Sequence, residues 1–414
     1  MEKLAKNHEQ MLDSCTDYAI ETITEICDKI GPRESGSEAE RKSQEYWAKE
    51  MKKYADKVET EDFEVHPHAF MAWVIVDAVL VLLGLVFYFL KLPIVTLIAT
   101  ILAFVCMAAE FLFYRPFLDP LFKKKTSCNV IGRRAPTGEV KQRIIFSGHT
   151  DSSWEWHFTY LGTHIFLKLM LVPAVVGLFV VTAAALAAVI TAGPTALPAE
   201  GFAKILGYVQ LAFIPFFLGL FFFIKWDEIV PGANDNLTGC AGSVAILKYL
   251  EDNDIRFENT EVVAMTSGCE EAGLRGSTAY AKRHKEELLE VPTVFYGLET
   301  FTDYDDFAIY NRDMTFMVKN DERVCALMKA GAKKAGRDLK YEAVFLGASD
   351  AAAVSREGIP AATLAGMNPN PPRYYHTRLD NTDALVPKSI RFGIDTALQS
   401  LFIFDEQGLK KEYD

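Results

Sequence analysis

Arg143-Ile144-Ile145-Phe146-Ser147-Gly148-His149-Thr150-Asp151 is the stretch whose reading decides the fold. Its first five residues, with apolar Ile144-Ile145-Phe146 at their centre, are a short run ended by glycine, which reads as a strand buried on both faces. Three more runs repeat the pattern. Glu261–Thr266 is ended by Ser267-Gly268, Thr293–Tyr296 by Gly297, and Ala361–Ala365 by Gly366. Helical spacing separates them, as in 237–250, where Ala241, Val244, Ala245 and Leu247 share one stripe. Strands buried on both faces and alternating with helices predict an α/β fold with a mostly parallel mixed sheet flanked by helices.

Acids and imidazoles follow these strands. His149 and Asp151 follow the first, Glu270 and Glu271 the second, Glu299 the third, and His376 lies in a loop after the fourth. A further loop, Pro231-Gly232-Ala233-Asn234-Asp235-Asn236, precedes the 237–250 helix. Ligands bind beyond the carboxyl ends of strands in open α/β sheets, so these residues can meet in one crevice. Imidazole nitrogens and carboxylate oxygens are ligands that zinc takes, and the paired cysteines of a structural zinc site are absent from the sequence. One bridging carboxylate gives room for two metal ions. Asp151 is placed to hold the second nitrogen of His149. The neighbouring side chains of Glu270 and Glu271 diverge, so one can bind metal while the other handles protons.

Of the 414 residues, 55 are Asp or Glu and 43 are Lys or Arg, a net charge of −12 that argues against a nucleic-acid partner. Mean hydropathy is nonetheless slightly positive, at +0.09. The excess lies in four runs, 69–90, 92–114, 169–192 and 202–224, whose only charges are Asp77, Glu110 and Lys204. Each is long enough for a hydrocarbon core of about 30 Å and apolar all round, so they read as four transmembrane helices in contact with the lipid bilayer. They form two hairpins, turning at Lys91 and Pro93 and between Gly193-Pro194 and Gly201. The expected organisation is 1–68, 115–160 and 225–414 as one polar domain, interrupted by hairpins at 69–114 and 161–224. Arg115, Lys123, Lys124, Lys125, Lys168 and Lys225 flank the spans on the polar side. The positive-inside bias thus predicts a multi-pass integral membrane protein with that domain in the cytoplasm. The opening Met1-Glu2-Lys3-Leu4 lacks a signal-peptide apolar core, and the seven cysteines show no disulfide spacing.

The motifs Gly-His-Thr-Asp (148–151), Gly-Ala-Asn-Asp-Asn (232–236), Glu-Glu-Ala-Gly-Leu-Arg-Gly-Ser (270–277) and Tyr-His-Thr-Arg-Leu-Asp (375–380) together resemble peptidase family M28. That family comprises the co-catalytic di-zinc exopeptidases. Gly31-Pro32-Arg33, Gly36-Ser37, Ser349-Asp350 and Gly358-Ile359-Pro360 add to the likeness, which runs from about 20 to 400 with the hairpins set aside. The resemblance implies a zinc-exopeptidase, phosphorylase/hydrolase-like fold and two zinc ions per chain. It implies that His149 binds one ion, Asp235 bridges both, and Glu271 with His376 completes the other. Glu299 stands where the family normally places an aspartate on the first ion, with Asp303 as the other candidate. Glu270 is implied as general base, Asp151 as the residue orienting His149, and Asp235–Asn236 as a cis peptide. Tyr375, beside His376, is placed either to donate to a developing oxyanion or to pack against a ligand. The implied activity is aminopeptidase hydrolysis of a peptide substrate. A single-zinc glutaminyl cyclase and an inactive peptidase-like scaffold are the alternatives.

Ten positions separate Asp151 from Leu161 and Lys225 from Asp235, a reach of at most about 33–36 Å. The expected site therefore lies near the membrane surface, where it would select membrane-associated peptides. Trp154, Trp156 and Tyr160 in this stretch read as interfacial anchors or as an apolar pocket. His66 and His68, flanking Pro67, read as residues of a surface strand rather than metal ligands, and His157 and His164 as polar edge residues. Asp77 and Glu110 are expected near an interface or facing one another, and Arg275, Arg312 and Arg373 are candidates for a substrate carboxylate.

Overall fold

The computed structural model describes residues 4, 7–315, 317–344 and 347–413. The chain divides into two compact units, one formed by 1–67, 124–153 and 229–414, the other by 68–123 and 154–228.

The first unit is built on a nine-stranded sheet. Its strands are β1 (Lys57–Val65), β2 (Lys125–Arg134), β3 (Gln142–His149), β4 (Thr260–Ser267), β5 (Thr293–Glu299), β6 (Ala308–Asp313), β7 (Val318–Lys319), β8 (Lys340–Ala343) and β9 (Ala361–Ala365). The order is β1-β2-β4-β3-β5-β9-β6-β8, with β7 paired to β6. The four strands read from the sequence are the four at the centre, and they run parallel: β4 with β3, β3 with β5, β5 with β9. Antiparallel strands flank them, β2 against β4 and β6 against β9.

Alternation along the central strands buries both faces. Ile144, Phe146, Val262 and Ala264 enter one core with the helices His8–Lys29, Leu237–Asp252, Glu322–Lys334 and Pro387–Gln407. Ile145, Val263, Met265 and Phe295 enter a second core with Tyr280, Leu288, Ala351 and Val354. Helix Leu237–Asp252 sits tight against the sheet because glycines line the approach. A Cβ on Gly148 would lie 2.4 Å from the carbonyl carbon of Gly239, and one on Gly239 would lie 2.3 Å from the Leu298 oxygen. Asn236 caps this helix by accepting from Gly239 N at 3.0 Å.

The second unit contains the four apolar runs as helices long and apolar enough to cross a membrane. The first is Pro67–Phe89. The second, Pro93–Met107, ends in a widened turn over Ala108–Leu112. The third, His157–Ala192, starts earlier than the apolar run and breaks at Gly162 and Thr163, where Thr163 takes a φ of 59°. The fourth is less regular than an unbroken span. Helix Gly201–Val209 passes through tight turns at Gln210–Phe213 and Leu220–Phe222 around the short helix Ile214–Gly219. Buried Gln210 donates to Gly207 O at 2.8 Å, and Pro215 has no N–H to continue the ladder.

Asp77 is buried near Cys106, while Glu110 accepts from Leu118 N at 2.6 Å. Strands Trp154–Trp156 and Ile224–Ile229 pair into a two-stranded ribbon at the base of the third and fourth helices. Trp154 packs on His68 and Trp226, Trp156 on Phe223, and Tyr160 on His157.

Candidate metal centre

The carboxyl ends of the parallel strands bring the expected residues together. His149 ends β3 and Glu299 ends β5. Glu270 and Glu271 lie in the turn after β4, Asp235 just before the glycine-packed helix, and His376 in the loop after β9. Asp235 is divided between the two imidazoles: Oδ1 is 3.2 Å from His149 Nε2 and Oδ2 is 3.1 Å from His376 Nε2. Glu271 Oε1 is 3.2 Å from the same His376 nitrogen. Glu299 Oε1 and Glu270 Oε2 stand 3.8 and 3.9 Å from His149 Nε2. Asp303 is drawn away instead, accepting from the Tyr374 hydroxyl at 2.8 Å and from Asn368 N at 2.9 Å. The Asp235–Asn236 peptide is cis. Tyr375 stacks on His376 with ring centroids 3.9 Å apart.

Each imidazole turns Nε2 inward and has its other nitrogen held from behind. His149 Nδ1 lies 3.2 Å from the Asp151 carbonyl oxygen and 3.5 Å from its carboxylate. His376 Nδ1 lies 3.2 Å from Ser153 Oγ. The Asp151 carboxylate, fully buried, also accepts from Glu270 N at 3.0 Å, Glu271 N at 3.1 Å and Ser35 Oγ at 2.6 Å. It thereby sets the turn that presents both glutamates. Asp380 does the same for Asp235, accepting from Asn234 N, Asn234 Nδ2 and Asp235 N at 2.9, 2.8 and 3.0 Å.

Crowded acids govern the electrostatics. Burial works against a charged His149, but Glu270, Asp151, Asp235 and Glu299 outweigh it and raise its pKa. His376 is treated alike by Glu271 and Asp235 and is pushed up to about 10. Burial opposes the charge on Asp235, yet the two imidazoles hold it below the usual carboxylate range. Burial raises Glu270, reinforced by Glu271, Asp350 and Glu299 against the pull of His149. Burial also lifts Glu299 to about 7, and it raises Tyr375 together with Asp235, Glu271, Glu270 and Glu299.

The donor set fits divalent metal ions. His149, Asp235 and Glu299 offer three ligand atoms within 4.8 Å of one another, and so do Asp235, Glu271 and His376, with Asp235 common to both groups. His149, Glu270 and Glu271 form a third such group. Among the described residues, Glu271 Oε1 is buried and meets only the His376 imidazole nitrogen, 3.2 Å away, as expected for an oxygen whose lone pair is aimed at an ion. Among the described residues, His66, His68, His157 and His164 enter no such group. Arg275 turns back to Ala272 O.

Ser35, Asp380 and Ser153 support the site through contacts that no spacing in the sequence marks. The resemblance had included Arg33 and Asp380 in its motifs, and that was the available signal. The partnerships themselves join loops far apart in the chain.

The architecture is that of zinc aminopeptidases. A zinc aminopeptidase from Bacillus subtilis superposes with a TM-score of 0.55 at 15% identity, covering 96% of each chain. An aminopeptidase from Aneurinibacillus sp. strain AM-1 gives 0.56 at 16% identity, covering 95% of each. A glutaminyl cyclase from Porphyromonas gingivalis shares the fold with a TM-score of 0.53 at 12% identity, covering 94% of this chain and 97% of its own. Residues 223–400 match the sequence model of peptidase family M28, the family that the motifs resemble. No curated protein sequence matches the chain.

Proposed function

We propose that this chain is a membrane-embedded, zinc-dependent exopeptidase that removes residues from the amino terminus of peptides. The observation that carries the reading is the shared Asp235: two groups of three ligand atoms meet at one carboxylate, with Glu270 beside them. His149, Asp235 and Glu299 would hold one ion, and Asp235, Glu271 and His376 the other. Bound there, the two ions would supply Lewis acidity to the scissile carbonyl and lower the pKa of the attacking water. Glu270 takes that water's proton and returns it to the leaving amine, a role suited to a carboxyl whose pKa is raised. Tyr375 donates a hydrogen bond to the oxygen that gains charge. Asp151 keeps Glu270 and Glu271 in register through their backbone amides. The four apolar helices support insertion in a bilayer, and the flanking basic residues support a cytoplasmic peptidase unit.

Metal counting on the purified chain, combined with digestion of unblocked and N-terminally blocked peptides, tests the reading. Two ions per chain and free amino acids released only from unblocked peptides are expected. A single ion with cyclisation of N-terminal glutamine would move the assignment to a cyclase. Two ions with no turnover would leave a scaffold.

A further inference from the structure

The chain leaves the sheet-bearing unit after Ser153 and re-enters it at Ile229. Both crossing strands are fastened to the metal centre's loops. The Ser153 carbonyl accepts from Val230 N at 2.9 Å. Ser152 exchanges two hydrogen bonds with the Arg33 backbone, N to O at 3.0 Å and Oγ from N at 2.9 Å. The Arg33 guanidinium, fully buried, donates to the carbonyls of Thr150, Pro231 and Gly232 at 2.6, 2.8 and 2.8 Å, and to Gly31 O at 3.0 Å. One cation thus joins the segment after His149 to the segment before Asp235.

At the tip of this arrangement the Ser153 hydroxyl, itself buried, meets His376 Nδ1 at 3.2 Å. An imidazole that gives Nε2 to a metal carries its proton on Nδ1, so Nδ1–H donates and the serine oxygen accepts. That hydrogen bond selects the ligating tautomer and fixes the ring plane, with Tyr375 stacked on the ring. His149 receives the same service from Asp151, part of the Gly-His-Thr-Asp motif. Ser153 does it from the last residue before the chain enters the apolar unit.

We propose that Ser153, the last residue of the sheet-bearing unit before the chain leaves it, is a positioning residue for His376 and so part of the support of one metal ion. The inference rests on the metal-binding reading above. Partners of a ligating histidine alter metal affinity by about 10- to 100-fold. The test uses the full chain in detergent, stripped of metal and titrated with zinc against a competing chelator. S153A is expected to weaken one binding step by about 10- to 100-fold, leave the other unchanged, and speed loss of that ion to chelator. S153T, which keeps the oxygen, is expected to restore the wild-type isotherm. S153G removes the hydroxyl by a second route and is expected to repeat the S153A result should S153A fail to fold. Equal weakening of both steps, or of neither, overturns the proposal. A wild-type chain that takes up only one ion refutes the two-metal reading. The Ser153 inference then fails only if that single ion is held unchanged by S153A.

Discussion

Asp380 is fully buried and spends its carboxylate on the two amides and the side chain that present Asp235. Burial and the charge of Asp235 push its pKa up to about 7, against those three hydrogen bonds. Asp380→Asn replaces an acceptor by a donor facing other donors, which should weaken metal binding by about 10- to 100-fold in a chelator competition. Unchanged affinity would exclude this role for Asp380. Glu270→Ala should retain its metal yet lose turnover by about 10²- to 10⁴-fold, and near-normal hydrolysis by the metal-loaded variant would remove Glu270 as the base. The residues clustered at the centre were legible because they stand at strand ends or in motifs of fixed spacing. What Arg33 and Ser153 hold was not, since their partners at 231, 232 and 376 are neighbours only after folding.

At the level of elements, the central strands were legible because both faces are covered and every residue from Ile144 to Phe146 is apolar. The strand β1 was not. Its sequence Lys-Val-Glu-Thr-Glu-Asp-Phe-Glu-Val buries only Phe63 and Val65, as an outer strand can. The tight seat of helix Leu237–Asp252 was hidden too, because a glycine in a sequence does not say what approaches it. Gly148→Ala forces a methyl group into the helix backbone, and Gly239→Ala forces one into the Leu298 carbonyl. Each should destabilise the sheet-bearing unit by at least about 1–3 kcal/mol, lowering its thermal unfolding midpoint and the metal affinity together. A variant with an unchanged midpoint would show that the helix can move off the sheet freely.

For the molecule as a whole, four long apolar helices predict that the chain stays with membranes through alkaline and high-salt washes and is released only by detergent. Recovery in the aqueous fraction would contradict that. The positions of the apolar runs were legible from hydropathy alone. The break at Gly162 and Thr163 and the tight turns after Val209 were not, because composition records apolarity and not backbone angles. Replacing 161–224 by a short linker should alter which peptides are trimmed. A truncated chain that processes the same set equally well would free the second hairpin from any part in selectivity.

Ser153 and Val230 are 77 positions apart in the sequence, yet one backbone hydrogen bond joins them. For the catalytic framework, the long excursion between them is therefore equivalent to a tight turn. Whatever is spliced in at that gap, greasy or hydrophilic, long or brief, meets the same two closely spaced ends. The two ends that this insertion must meet are thus set by the sheet-bearing unit itself, whatever length of chain lies between them.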